Sequence, residues 1–257
     1  MDDLIAGDAL GFRYEQDWIF RSLSFRWRAG QLTAILGRNG CGKSTLLSII
    51  AGDRAPLEGR VVYRCRGLAL VPQSLEVSLP LTGLEMVLLG RARGISLFSA
   101  PGGEDYRAAH EALARLEAAH LAGRAFDVMS GGERQLVLIA RALASSCSVL
   151  LLDEPTAALD WHHQAHVLNL LRQLADEGLA VAFTTHSPQH ALDFADTVMV
   201  MAGPEQQWVG PPEAVLDEAT LSQLYRLPVK RLRLPDMGLS TAIPVFKRPT
   251  EDQKAAA

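Results

Sequence analysis

The segments QLTAIL (Gln31–Leu36), GRNGCGKS (Gly37–Ser44) and TLLSIIAG (Thr45–Gly52) follow one another without a break. The first reads as a buried apolar strand and the last as a helix stopped by Gly52. The junction between them satisfies G-x-x-x-x-G-K-[ST]. Glycines let the chain turn tightly so that successive N–H groups face a phosphate, and the helix N-terminus adds positive partial charge. Lys43 is placed to reach the β and γ phosphates, and the Ser44 hydroxyl to bind Mg²⁺. A nucleoside triphosphate site is the expectation.

Such a site needs a second strand that carries carboxylates, and VLLLDE (Val149–Glu154) supplies one. Four apolar residues bury it and deliver Asp153 and Glu154 to its C-terminal edge, where open parallel sheets bind ligands. Asp153 is placed to hold Mg²⁺ through its water shell, and Glu154 to orient and deprotonate an attacking water. Around these two strands, β and α patterns alternate. Leu23, Phe25 and Trp27 alternate with Ser24, Arg26 and Arg28, and further strands are expected at Val61–Tyr63, Ala69–Val71 and Leu179–Thr184. Helices are expected over Glu104–Leu121, on the spacing of Ala109, Leu113, Leu116 and Ala119, and over Trp161–Glu177, Pro188–Ala195 and Glu213–Tyr225. The alternation predicts a mainly parallel sheet with helices on its faces.

At 257 residues, 48% of them hydrophobic and 21% charged, the chain suffices for one large domain or two small ones with a real core, which excludes wholesale disorder. A formal charge of −4 gives no global positive field, so nucleic acid is not an expected partner. Cys41, Cys65 and Cys147 make neither a CxxC pair nor a metal spacing, which fits a reducing cytosol. The opening MDDLIAGDAL lacks the features of a secretory signal, and no stretch approaches the ~20 apolar residues of a membrane span, so a membrane role is expected to be peripheral.

In combination, the motifs resemble one family, the ATP-binding cassette ATPases. MSGGE (Met129–Glu133) is similar to that family's LSGGQ signature, and Arg134–Ala142 continues it as a helix. Gln73 in VPQ, Asp160 in ALD and His186 in FTTHSP resemble the family's Q-loop, D-loop and switch histidine, in the family's order. Tyr14 resembles the aromatic that stacks on adenine. The resemblance covers about residues 4–225. It implies an α/β fold: a P-loop NTPase core with a mainly parallel sheet, an N-terminal antiparallel β subdomain and a helical signature subdomain. Residues 1–228 then form the ATPase domain, with a helical insert at about 84–146, and 229–257 a short C-terminal extension and tail.

The resemblance implies ATP and Mg²⁺ as cofactors. Tyr14, Gly37, Arg38, Asn39, Gly40, Cys41, Gly42, Lys43, Ser44 and Thr45 would bind the nucleotide. Ser44, Gln73 and Asp153 would bind the metal, and Glu154, His186 and Gln73 would form the catalytic set. Ser130, Gly131, Gly132 and the following helix N-terminus form a second anion-binding concavity. In the family this closes on ATP held by the phosphate loop of a second copy, head to tail, with Asp160 reaching across the homodimer. Glu133 stands where the family's usual residue is Gln; it either charges the closing interface or points partly to solvent.

A single cassette without membrane helices resembles the ATPase subunit of bacterial importers, on the cytoplasmic face of the inner membrane. Its partners would be polytopic permease subunits and, indirectly, a substrate-binding protein. Val87–Arg91, followed by an insert with Glu104, Asp105 and Tyr106, resembles the metal-chelate subgroup, whose members take siderophore, haem, cobalamin, or molybdate and tungstate. In that architecture Leu75–Arg91 contributes a groove for a permease helix. A soluble ATPase of iron–sulfur cluster assembly is the alternative. Three remaining features carry less. His162, His163 and His166 lack the HExxH glutamate and read as a polar helix face. Lys230, Arg231 and Arg233 read as solvated. Cys41 is a candidate for alkylation slowed by ATP.

Overall fold

The computed structural model describes residues 3–73, 75, 80–94, 100–237 and 239–246. The N-terminal alternation forms two long antiparallel strands, β1 (Asp3–Tyr14) and β2 (Asp17–Arg28). Leu23, Phe25 and Trp27 are buried, and Ser24, Arg26 and Arg28 exposed. β3 (Leu32–Gly37) is buried at every position. It feeds α1 (Lys43–Ala51), whose end is closed by Gly52 in a left-handed conformation. β4 (Glu58–Tyr63) pairs with β1, and β5 (Leu68–Val71) joins a second sheet.

The helical insert contains α2 (Gly83–Leu88), α3 (Gly103–Arg115) and α4 (Gly131–Ala144). β6 (Val149–Leu152), α5 (Trp161–Asp176), β7 (Ala180–Thr185) and α6 (Pro188–Phe194) then restore the alternation. β8 (Thr197–Gly203) and β9 (Gln206–Gly210) complete the large sheet. α7 (Pro212–Val215), α8 (Glu218–Tyr225) and the hairpin of β10 (Val229–Leu234) and β11 (Leu239–Pro244) follow.

Among the described residues the large sheet has the order β5-β6-β7-β3-β8-β9, parallel except for β9. Its two-residue period sorts side chains onto two cores. Ile35, Val149, Leu151, Ala182 and Met199 face α1 and, beyond it, the apolar side of the small β2-β1-β4 sheet. Ala34, Leu36, Leu150, Leu152, Phe183 and Val200 face α5, α6, α8 and the helical insert. Both faces are covered, which is why these strands read as continuous apolar runs. The fold is therefore the expected α/β arrangement of a mainly parallel sheet, an antiparallel β layer and helices.

Several boundaries differ from the sequence reading. The helix expected over Glu104–Leu121 ends at Arg115, because Glu117 turns left-handed (φ 55) and Ala118 N–H bonds back to Leu113 O at 2.9 Å. Leu116, Ala118 and Leu121 stay buried after the turn, so the apolar spacing outlasts the helix, while Ala119 is exposed. The helix expected over Glu213–Tyr225 is two. Leu216 is buried at the corner and Asp217 caps α8 by accepting from Thr220 N–H at 2.7 Å. β8, β9 and the β10–β11 hairpin were not anticipated, although the run TVMVM in β8 carried a strand signal. Lys230 and Arg233 are exposed, as expected, Lys230 in a surface pair with Glu218 at 2.6 Å, whereas Arg231 is largely covered and pairs with Glu213 at 2.8 Å. The terminal EDQKAAA lies outside the described residues, as do residues 74 and 76–79 of the expected groove and 95–99 of the insert.

Leu151 is fully buried between the sheet and α1, so Leu151→Ala is expected to cost about 2–5 kcal/mol. Urea unfolding should show a lower midpoint with an unchanged slope.

Candidate functional site

The C-terminal ends of β3, β6 and β7, which are neighbours in the sheet, bring the phosphate-loop, carboxylate and switch-histidine segments to one edge. At that edge Asn39, Gly40, Gly42, Lys43, Ser44, Thr45, Gln73 and Glu154 line a cleft of about 300 Å³. Gly42 begins α1 in a left-handed conformation (φ 100), and a Cβ there would stand 2.0 Å from Ile19 Cγ2, so both backbone and space demand glycine. Among the described residues no side chain caps α1 and no acidic residue occupies its first turn. Its leading N–H groups and the positive end of its dipole are thus available to an anion.

Lys43 is buried, with 5% of its side chain exposed. Its ammonium donates to Gly37 O at 3.0 Å and Arg38 O at 3.3 Å, and pairs with Glu154 Oε1 at 3.1 Å. The other Glu154 oxygen lies 3.6 Å from His186 Nδ1. Glu154 has a left-handed backbone (φ 45), a strain of about 1–2 kcal/mol for a residue with a Cβ. It is held there by Thr184, a buried residue that the sequence reading missed. The Thr184 hydroxyl accepts from Glu154 N–H at 2.7 Å and donates to Asp153 Oδ1 at 2.7 Å. One hydroxyl therefore orients both carboxylate residues. Its signal was the pair of threonines directly before His186.

The remaining expected residues are placed less centrally. Tyr14 does not line the cleft. It stands half exposed beside it, 3.3 Å from Thr45 Oγ1, edge-on to Phe12 and under the Arg54 guanidinium. Arg38 and Cys41 line a neighbouring cavity with Trp18 and Arg226. Burial pushes the Cys41 thiol up, which depletes the reactive thiolate.

Ser130, Gly131, Gly132 and Glu133 are not among the residues lining the cleft, so one copy of the chain does not bring the two anion cradles together there. Glu133 points partly to solvent, one of the two expected placements, with 24% of its side chain exposed. It closes a capping box, accepting from Ser130 N–H at 2.8 Å while Ser130 Oγ accepts from Glu133 N–H, and it pairs with Arg124 at 2.6 Å. The Ser130 backbone N–H holds the carboxyl below its ordinary range.

Asp160 caps α5 and accepts from His163 N–H at 2.9 Å, which is the main reason its carboxyl sits low, and it also bonds His163 Nδ1 at 2.8 Å. The His163 ring lies against Gly132, where a Cβ would stand 2.7 Å from the imidazole. His163 is thus committed to the turn, and no group of three or more metal-ligating side chains occurs among the described residues.

The family model described as ABC transporter matches residues 20–157. The chain belongs to the ABC transporter family. It is 37% identical to the molybdate import ATP-binding protein MolC of Haemophilus influenzae, over 96% of this chain and 98% of that protein. It is 39% identical to the hemin import ATP-binding protein HmuV of Nocardia farcinica, over 88% and 82% of the respective chains. Its structure superposes on that of a metal-chelate type ABC transporter in an inward-facing conformation, with a TM-score of 0.91, 36% identity, and coverage of 96% and 99%. As a member of this ABC family the chain is an ATPase, and no helix among the described residues is long and apolar enough to cross a membrane.

A methyl group at Gly132 would stand 2.7 Å from the His163 ring, which must shift to admit it. Gly132→Ala is therefore expected to lower ATP turnover while nucleotide affinity, followed by fluorescence titration, stays at the wild-type value.

Proposed function

We propose that this ABC ATPase drives a bacterial importer, hydrolysing ATP between two head-to-tail copies to power uptake through separate permease subunits. The observation that carries the hydrolytic reading is the Lys43–Glu154–His186 line across the cleft, at 3.1 and 3.6 Å. The triphosphate engages the loop amides and Lys43, which draws the ammonium toward phosphate and loosens its hold on Glu154. Glu154 then takes a proton from the water that attacks the γ-phosphorus, the bond to the ADP oxygen breaks, and ADP and phosphate leave. His186 contacts the γ-phosphate and keeps Glu154 in place.

The residues present also suit Mg²⁺. Ser44, Gln73 and Asp153 offer hydroxyl, amide and carboxylate oxygens, the hard donors this ion takes, and Asp153 keeps one oxygen beyond that bonded to Thr184. When bound, the ion neutralises phosphate charge. The separation of the Ser130 turn from the cleft supports the dimer, because the second cradle then has a phosphate to serve in a twin.

A second groove, of about 350 Å³, runs between β5 and the insert, lined by Leu70, Pro72, Leu75, Leu89, Leu138 and Arg141 among others. Its apolar floor and position next to Gln73 support docking of a short permease helix. The insert that frames it is tied by Arg91, which bonds Asp105 at 3.0 Å and Ala144 O at 3.0 Å. The named relatives work in import, which favours this reading over soluble iron–sulfur assembly. Their names, molybdate import and hemin import, favour molybdate or a metal chelate such as haem as the cargo; tungstate, an iron-siderophore and cobalamin stay within the same reading on the resemblance to the metal-chelate subgroup. The subunit would sit peripherally on the cytoplasmic face of the inner membrane, with a substrate-binding protein acting through the permease.

Glu154→Gln is expected to lower turnover about 10²–10⁴-fold with ATP binding retained, and Lys43→Ala to weaken binding itself. Light scattering of Glu154→Gln with saturating ATP should show a dimer; a persistent monomer would contradict the head-to-tail assembly. For transport, co-purification with a polytopic permease and stimulation of ATPase in liposomes by a loaded binding protein are expected. Failure of both would remove the importer reading.

A further inference from the structure

We propose that Tyr225 is a positioning residue for His186, and that α8 with the β10–β11 hairpin braces the loop carrying this histidine. The inference rests on the ATPase reading, which gives His186 its role at the γ-phosphate. The Tyr225 phenol donates to the main-chain carbonyl of His186 at 2.6 Å, bridging 39 residues of sequence. The imidazole of His186 is 62% exposed, and its polar contact among the described residues is the 3.6 Å approach to Glu154. Side-chain packing therefore does little to place the ring, and the backbone beneath it must do so.

That backbone is held on both sides. Thr185 Oγ1 accepts from Ser187 N–H at 3.0 Å and lies 3.2 Å from His190 Nδ1. One turn further on, Gln189 donates to Ser240 O of β11 at 3.0 Å. The hairpin thus reaches α6 directly, while Tyr225 reaches the histidine.

The brace is itself tied together by polar contacts between α8 and the hairpin. Glu218 at the start of α8 holds Lys230 at 2.6 Å and accepts from Arg231 N–H at 3.0 Å. Ser222 on α8 accepts from Val229 N–H at 2.9 Å. The phenol that meets His186 is therefore a fixed donor on a folded support. Loss of its hydroxyl frees one carbonyl at the point where the chain turns toward the reacting phosphate. Small displacements of a catalytic group weigh heavily on rate and little on ground-state binding.

Tyr225→Phe removes the hydroxyl and keeps the ring. In the full-length chain it is expected to lower kcat about three- to tenfold, the scale of one hydrogen bond, with KM for ATP within about twofold. In a His186→Ala background the same change should have no further effect. Wild-type kcat in Tyr225→Phe, a loss confined to KM, or an equal fractional loss without His186 would each overturn the proposal.

A readout independent of turnover is the imidazole ¹⁵N resonance of His186, identified by its absence in His186→Ala. A shift or broadening in Tyr225→Phe supports the brace, and an unchanged resonance overturns it. A wild-type chain that fails to hydrolyse ATP would instead refute the ATPase reading, with the resonance still deciding whether Tyr225 positions the ring.

Discussion

The ion pair between Lys43 and Glu154 joins two strand ends that are not adjacent in the sheet, since β7 runs between β3 and β6. It forms because all three strands are parallel and end at the same edge, so that every loop leaving them opens into one cleft. Burial of an ammonium as deep as that of Lys43 is costly unless carbonyls and a carboxylate surround it. Gly37, Arg38 and Glu154 do so. The same three partners hold the lysine between its own loop and the end of β6.

Around this pair, hydroxyl groups do most of the positioning. Thr184 holds Asp153 and Glu154, Thr185 holds the start of α6, Ser130 caps α4, and Tyr225 holds the carbonyl of His186. Each is a neutral group that both donates and accepts, so it orients charged neighbours without adding a charge of its own. The strained backbone of Glu154 is tolerated because Thr184 and Lys43 hold its main chain and its carboxylate independently. The turn at Ser130 shows a related economy: Glu133 satisfies the start of α4 and pairs with Arg124.

Much of this was legible in the sequence. Gly37–Ser44 announced the cradle because a phosphate loop is local: strand, turn and helix lie in one continuous stretch, and glycine is demanded by backbone conformation. The Asp153–Glu154 pair was legible because four apolar residues mark a buried strand and the acids mark its end. The Arg115 end of α3 was not, since Leu116, Ala118 and Leu121 pack into the same core whether the chain stays helical or turns at Glu117. The break between α7 and α8 was hidden for the same reason by Leu216. Thr184, Arg124 and His163 carried no motif that named their partners.

The sequence by itself determined that a glycine-rich turn joins β3 to α1 and that Asp153 and Glu154 follow a buried strand, because both features follow from short-range backbone geometry and apolar patterning. It also determined the α/β class, through the two periodicities of its apolar residues. Only the tertiary structure decided that Glu133 caps α4 and pairs with Arg124, that Cys41 is half-buried beside Trp18 and Arg226, and that a tail punctuated by prolines folds back onto the histidine loop. These depend on contacts between residues far apart along the chain. A hydrogen bond such as that from Tyr225 to His186 is chosen by where two surfaces come to rest, which no local pattern encodes.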